Sequence, residues 1–262
     1  MNRLTQTARD ARKAAMAIAG VGVLLFSVAA YGVALVRDPS IGVTDEGAND
    51  AAAMKDPHLA KATFAGGCFW CMESPYAKLA GVQTVISGYA GGHVAHPTYE
   101  AVGSGATGHA ESVQVLYNPK VISYATLLEA FWRSIDPTDV GGQFVDRGSQ
   151  YRPGIFYHNA EQKRLAEASR DRLAKSGRFS KPIVVEITAF TNFYAAEDYH
   201  QHFCRRSADQ YHTYRAGSGR DEFLEKAWGK DLKPPLVPVN AQNDGVEKPP
   251  AGGAANTSYR NP

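Results

Sequence analysis

The sequence predicts an α+β fold, a two-layer sandwich with helices laid on one sheet. Two observations carry this. Apolar spacing alternates between strand and helix periods in the order β-α-β-β-α-β, extended by a further α-β. That order is the split βαβ, ferredoxin-like arrangement. In addition, long Gly- and His-rich stretches separate the elements, so the core must carry long functional loops.

The elements follow in order. "KATFAGG" is a short strand running into paired glycines, and residues 69–80 read as a helix. Within that helix Pro75 cannot donate to the carbonyl of Cys71, so a kink and a short first turn presenting Cys68 are expected. "VQTVISGYAGG" alternates Val82, Thr84 and Ile86 as a strand. The loop "GGHVAHPTYEAVGSGATG" leads to the strand "AESVQVLY", with Val113 and Val115 on one face. "SYATLLEAFWRSI" opens on Ser123 as N-cap and places Leu127, Leu128, Phe131 and Ile135 at helical spacing. "GIFYH" is a strand. "NAEQKRLAEASRDRLAKSGR" is an exposed helix capped by Asn159, with Gln162 three residues on and Gly177 as its stop. "PIVVEITAF" is a last strand and "AAEDYHQHFCRR" a last helix.

Composition sets the boundaries. Arg3, Arg9, Arg12 and Lys13 precede residues 14–36, which carry no charge until Arg37. At about 1.5 Å per residue such a run covers the roughly 30 Å hydrocarbon core. Residues 1–37 are therefore expected to be a membrane anchor with a cytoplasmic N-terminus. The alternatives are a signal segment cleaved near Val28-Ala29-Ala30, which would release a secreted domain, or a buried core helix. Either export reading places the catalytic part outside the cytoplasm, in a periplasm if the host has two membranes. Residues 38–60 read as a flexible tether, 61–232 as the catalytic domain and 233–262 as a disordered tail rich in Pro, Gly and Asn. A net charge of +2, with basic residues interleaved among acids, argues against nucleic acid as partner. We expect a monomer.

Three cysteines are too few for a disulfide framework. "GGCFWCMES" holds two of them. Cys68 follows Gly66-Gly67 at a strand-to-helix junction, where a helix N-terminus favours the nucleophilic thiolate. A buried inert thiol is the alternative. Cys71 completes a C-x-x-C, which could be a redox pair of thioredoxin type, but Phe69 and Trp70 between them suggest a pocket wall. Zinc would need further ligands, for which His200, His202 and Cys204 are the nearest candidates; only His200 and Cys204 would share a helix face. Glu111 in "GHAE" stands at the mouth of a strand, a candidate general acid or else a solvated edge carboxylate. Tyr99 in "PTYE", and Asp146 and Tyr151 in "DRGSQYR", lie on Gly-rich loops, where tyrosines either stabilise an oxyanion or simply pack.

Taken together, "GGCFWCMES", "GYAGGHVAHPTYE", "GHAESVQVLYNP", "FWRSIDPTD", "DRGSQYR" and "AEDYHQ" resemble the A-type peptide methionine sulfoxide reductases, in order and spacing, from about residue 63 to 229. The resemblance implies reduction of the S epimer of methionine sulfoxide, free or in proteins, and repair of oxidised proteins. It implies Cys68 as nucleophile, Phe69 and Trp70 as the pocket for the substrate methyl group, and Glu111 as the acid that protonates the sulfoxide oxygen. It implies Tyr99 and Tyr151 as hydroxyls holding that oxygen, with Asp146 behind them. It further implies a Cys68 sulfenic acid resolved by a second thiol, a thioredoxin or thioredoxin-like donor, and no metal or other cofactor. The chain departs from the family pattern at that second thiol. Val145 and Ser218 stand where some members carry cysteine, which leaves Cys71, the leading choice, and Cys204 as resolving candidates, with direct reduction of the sulfenic acid as the alternative. The rival readings are an exported thiol-disulfide oxidoreductase that needs Cys71, and a tethered module that binds oxidised methionine without turning it over.

Overall fold

The computed structural model describes residues 46–239. The expected anchor or signal segment lies outside the described residues, and among these no helix is long and apolar enough to cross a membrane.

The chain folds as α1 (Glu46–Lys55), β1 (Ala60–Ala65), α2 (Phe69–Tyr76), β2 (Val82–Ala90), α3 (Tyr99–Gly103) and β3 (Ala110–Tyr117). It continues through α4 (Tyr124–Trp132), the two-residue strands β4 (Gly142–Gln143) and β5 (Asp146–Arg147), β6 (Gly154–Tyr157) and α5 (Ala160–Lys175). Then come β7 (Glu186–Ala189), β8 (Phe193–Ala195), α6 (Phe203–Arg206), α7 (Ala208–Gly217) and α8 (Arg220–Trp228). The six-stranded sheet runs β7-β6-β1-β3-β2-β8, and β4 and β5 form a separate hairpin.

The four central strands β6-β1-β3-β2 pair antiparallel throughout, and α2 and α4 supply the two crossovers. This is the split βαβ order read from the sequence. β7 extends the sheet in parallel to β6, and β8 caps the other edge against β2. β8 was not expected.

Alternation along the strands decides which face is buried by helices. Ala62 and Phe64 of β1, Val85 and Tyr89 of β2, and Val113 and Val115 of β3 share one core with Phe69, Met72 and Tyr76 of α2 and Leu127, Leu128 and Phe131 of α4. Phe64 lies at its centre, its ring stacked on Tyr76 and Phe131 with centroids 5.3 Å away in each case. Glu111 has the parity of Val113 and Val115, so β3 sends a carboxyl into the same covered face.

Several boundaries differ from the sequence reading. Residues 46–55, assigned to a flexible tether, form α1, and its Ala53 packs against Ile86 and Leu116 on the other sheet face. Residues up to 239, assigned to the tail, reach back to the N-terminus of α4, where the Ser123 hydroxyl donates to the Val237 carbonyl at 2.8 Å. The expected helix over "AAEDYHQHFCRR" is instead the end of β8, a 3-10 turn over Asp198–His200, and the four-residue α6. His202, with φ of +53°, breaks it. No break falls at Pro75: α2 runs through it and ends one residue later, short of the expected residue 80. α2 is thus only eight residues long. Ser123 and Asn159 cap α4 and α5 as expected, each accepting from the backbone N–H three residues on.

Candidate active site

The β1–α2 junction builds the site. Gly67 takes φ of +80°, and a Cβ there would lie 2.6 Å from Cβ of Gln143 and 2.9 Å from Nη2 of Arg220, so only glycine permits this turn. The turn leaves Cys68 as N-cap of α2, with its carbonyl accepting from the N–H of Cys71 at 3.0 Å. Cys68 is 7% exposed and Cys71 is fully buried.

The thiolate expected at Cys68 is not what this environment favours. Burial pushes the Cys68 thiol well above its ordinary value; its hydrogen bond to Cys71 and the nearby Glu111 push it further. The acceptor gains what the donor loses. Cys71 is lowered to about 7 by the Cys68 thiol, against its own burial, with Arg220 and Arg215 adding positive charge. The two thiols titrate as a coupled pair, in which burial favours the protonated form of Cys68.

Glu111 faces this pair. It is 3% exposed, and its Oε2 accepts the N–H of Phe69 at 3.0 Å. Burial raises its carboxyl to about 8; the Phe69 N–H pulls the other way, and Asp146 adds to the rise. The carboxyl is hence protonated at neutral pH, as a general acid must be.

An aromatic wall surrounds the two groups. The ring of Phe69 lies 6.4 Å from Tyr99 and 4.9 Å from His200, centroid to centroid, and Trp70 stacks on Phe203 at 3.7 Å. Tyr99 begins α3 and Tyr151 ends a 3-10 turn over Ser149–Tyr151. Burial, followed by the charge of Glu111, raises both phenols, Tyr99 to about 12, so each keeps its proton to donate. Asp146 in β5 accepts from the Tyr214 hydroxyl at 2.5 Å. All seven residues implied by the resemblance thus converge: Cys68, Phe69, Trp70, Tyr99, Glu111, Asp146 and Tyr151.

Four further residues join the site: sequence reasoning gives Tyr214, Glu197 and Arg220 no role, and His200 only that of a candidate zinc ligand. Tyr214, on α7, holds Asp146 and meets Trp70 edge-on at 6.0 Å. Glu197 accepts the Tyr89 hydroxyl at 2.7 Å and the Tyr99 N–H at 2.8 Å, tying α3 to β2. His200 fills the space between Phe69, Trp70 and Tyr99. Arg220 lies behind the glycine turn. Glu197 and His200 sit within "AEDYHQ", and Arg220, Leu224 and Trp228 recur at helical spacing on a buried stripe, a signal that was available.

Cys204 is turned elsewhere. Its thiol donates to Oε1 of the fully buried Glu73 at 3.4 Å, and burial, then that carboxyl, raises it to about 12. His202 bonds Oδ2 of Asp50 at 2.8 Å, while His200 packs among rings, so the zinc candidates do not converge. Among the described residues no group of three or more His, Cys, Asp or Glu is placed to hold a metal ion.

Two coupled thiols near a buried carboxyl, walled by aromatics, are groups that can exchange electrons through sulfur and supply a proton. The fold and this centre define a thiol-dependent oxidoreductase. The family model for peptide methionine sulfoxide reductase matches residues 60–232, so the chain belongs to that family. It is 57% identical over 168 residues to peptide methionine sulfoxide reductase MsrA of Bacillus subtilis, covering 64% of this chain and 95% of the relative. It is 53% identical over 175 residues to the MsrA of Listeria monocytogenes, covering 67% and 99%. Among solved structures it is similar to reduced Mxr1 of Saccharomyces cerevisiae, with 33% identity and a TM-score of 0.55 over 58% of this chain and 88% of that one. Methionine sulfoxide reductase A of Corynebacterium diphtheriae superposes with a TM-score of 0.54 at 28% identity, over 59% and 77%. The chain accordingly reduces methionine sulfoxide to methionine at the expense of thiols.

Proposed function

We propose that Cys68 attacks the sulfoxide sulfur while its proton passes to Cys71 and Glu111 protonates the sulfoxide oxygen. Tyr99 and Tyr151 hold that oxygen, with Asp146 behind them, and Phe69 and Trp70 take the methyl group. The oxygen is transferred to sulfur: one thiol and one sulfoxide become a Cys68 sulfenic acid and one thioether. Cys71 then displaces the oxygen as water, and a Cys68–Cys71 disulfide forms. An external dithiol of thioredoxin type exchanges with that disulfide and restores both thiols. One observation carries this reading: Cys68 and Cys71 stand one turn apart at the start of α2, and the buried Glu111 carboxyl accepts the N–H of Phe69 between them at 3.0 Å.

The choice of Cys71 over Cys204 rests on the same placement, since Cys204 is raised to about 12 and hydrogen-bonded to Glu73. Cys71→Ser should reduce one equivalent of sulfoxide per chain and lose thioredoxin-linked turnover, whereas Cys204→Ser should keep it. Full turnover by Cys71→Ser would remove the resolving role. Mass spectrometry of S- and R-sulfoxide peptides, with Cys68→Ser as control, tests the epimer; turnover of the R form alone would overturn the assignment.

We infer from residues 1–37 that the catalytic domain acts outside the cytoplasm, tethered to the inner membrane or released by cleavage. There it would repair oxidised exported proteins with a thioredoxin-like donor of that compartment. A reporter fused after residue 60 should be active only outside the cytoplasm, and a cytoplasmic signal would remove this placement.

A further inference from the structure

Arg220 is 1% exposed, the one buried lysine or arginine among the described residues. It opens α8 and reaches two points of the active-site scaffold. Its Nη2 donates to the carbonyl of Gly66 at 3.1 Å, and its Nη1 to the carbonyl of Ser134 just beyond α4. Its guanidinium carbon stands 4.5 Å over the Phe144 ring. No carboxylate pairs with it in the described structure, and its Nε has no partner. A buried cation without an anion is strongly unfavourable, and carbonyl dipoles and a ring face offset only part of that. An arginine cannot escape by losing its proton. The anion it lacks is one that the reaction makes, because the Gly66–Gly67 turn it holds leads directly into Cys68 and the first turn of α2.

We propose that Arg220 is a positioning residue of the thiol chemistry: it fixes the Gly66–Gly67 turn and serves as the buried counter-ion of the thiolate exchanged between Cys68 and Cys71. The other charges facing the pair do not fill this place. Arg215 of α7 is already neutralised by Asp221, with Nη2 2.6 Å from Oδ1, and also donates to the Tyr211 hydroxyl at 3.1 Å. Glu111 of β3 and Asp146 of β5 are acids and oppose a thiolate, and Tyr214 of α7 is engaged with Asp146. Arg220 is thus the fixed positive charge left without a carboxylate partner, and it lowers Cys71 more than Arg215 does.

This inference deepens the reading of Cys71 as the resolving thiol and is tested apart from it. In the full chain carrying Cys68→Ser and Cys204→Ser, Cys71 is the sole thiol, and its ionisation is read by thiolate ultraviolet absorbance against the same chain with Cys71→Ser. The serine of Cys68→Ser keeps a hydroxyl donor in place of the Cys68 thiol, so with Arg220 present the titration should have a midpoint well below that of an ordinary thiol. Adding Arg220→Met should raise it by at least about one pH unit, a tenfold fall in the ionisation constant. Arg220→Lys, which keeps the charge, should restore most of it. A folded Arg220→Met chain that titrates like its parent would overturn the proposal. So would a parent midpoint at or above the ordinary thiol value, whether or not the methionine variant folds. Whether Cys71 closes the disulfide is read separately, from the turnover of Cys71→Ser.

Discussion

Glu111 owes its acidity to where β3 places it. The same carboxyl on a strand edge would ionise near its ordinary value, but here burial holds it protonated to about pH 8. Activity should therefore fall as pH rises through about 8, and Glu111→Gln should lower kcat/KM by about 10²–10³-fold at neutral pH. The same shift sets a stability trend. The unfolded chain releases this proton near the ordinary value and the folded chain only near 8, so stability is lost as pH rises between them. Glu111→Gln should raise Tm more at pH 8 than at pH 5, and equal changes would show that the carboxyl is not held neutral. Tyr214 makes a second residue-scale case. Its 2.5 Å bond to Asp146 is charge-assisted, a class worth about 1.5–3 kcal/mol. Tyr214→Phe should reduce kcat/KM about tenfold in steady-state assays, and unchanged kinetics would leave Tyr214 a packing residue.

At the scale of elements, α1 is clipped rather than loose. Asp50 accepts from the Thr84 hydroxyl at 2.5 Å and pairs with His202 at 2.8 Å, joining α1 to β2 and to the segment before α6. Asp50, then Glu73, raises His202 to about 9. A raised histidine contributes stability that is complete below its unfolded value near 6.5 and is lost as pH rises through about 9. Asp50→Asn should thus speed amide exchange across 46–55 at pH 7, at a cost of about 1–2 kcal/mol. The difference from wild type should shrink above pH 9, and exchange unaffected at pH 7 would show that the pair does not hold α1. This element was unreadable in the sequence because "EGANDAAAMK" has no apolar stripe beyond small residues. Ala53 and the bonds of Asp50 to Thr84 and His202 seat it, and each needs a partner surface distant in sequence. The segment 195–206 failed for the opposite reason. Its composition suits a helix, but pairing of Phe193–Ala195 with β2 and the left-handed His202 override local propensity.

Across the whole molecule, every candidate site residue lies within the residues matched by the family model, and α1 packs against that part of the chain. A chain beginning at residue 46 should keep the kcat/KM of the full chain on a soluble sulfoxide peptide. One beginning at residue 60 loses Ala53 and Asp50 and should melt lower, by about 2–4 °C for each kcal/mol forfeited. Equal melting of the two would assign α1 no part in the fold. The sequence by itself determined the order of the central elements, because strand and helix periods are local. It also named the residues proposed for the sulfur chemistry, because Gly-Cys-Phe-Trp and its companion motifs are linear and carry the family resemblance. Only the tertiary structure decided how the proton is held. The helix N-terminus after Gly66-Gly67 suggests a thiolate on Cys68, but burial and the long-range approach of Glu111 favour the proton there, while Arg220 lowers Cys71. Tyr214 and Arg220 became visible in the same way, because a helix some 150 residues downstream supplies a buried cation to a turn it meets only in the folded chain. Electrostatics in a protein interior depends on distance in space and on exclusion of water, and neither is written in the local order of residues.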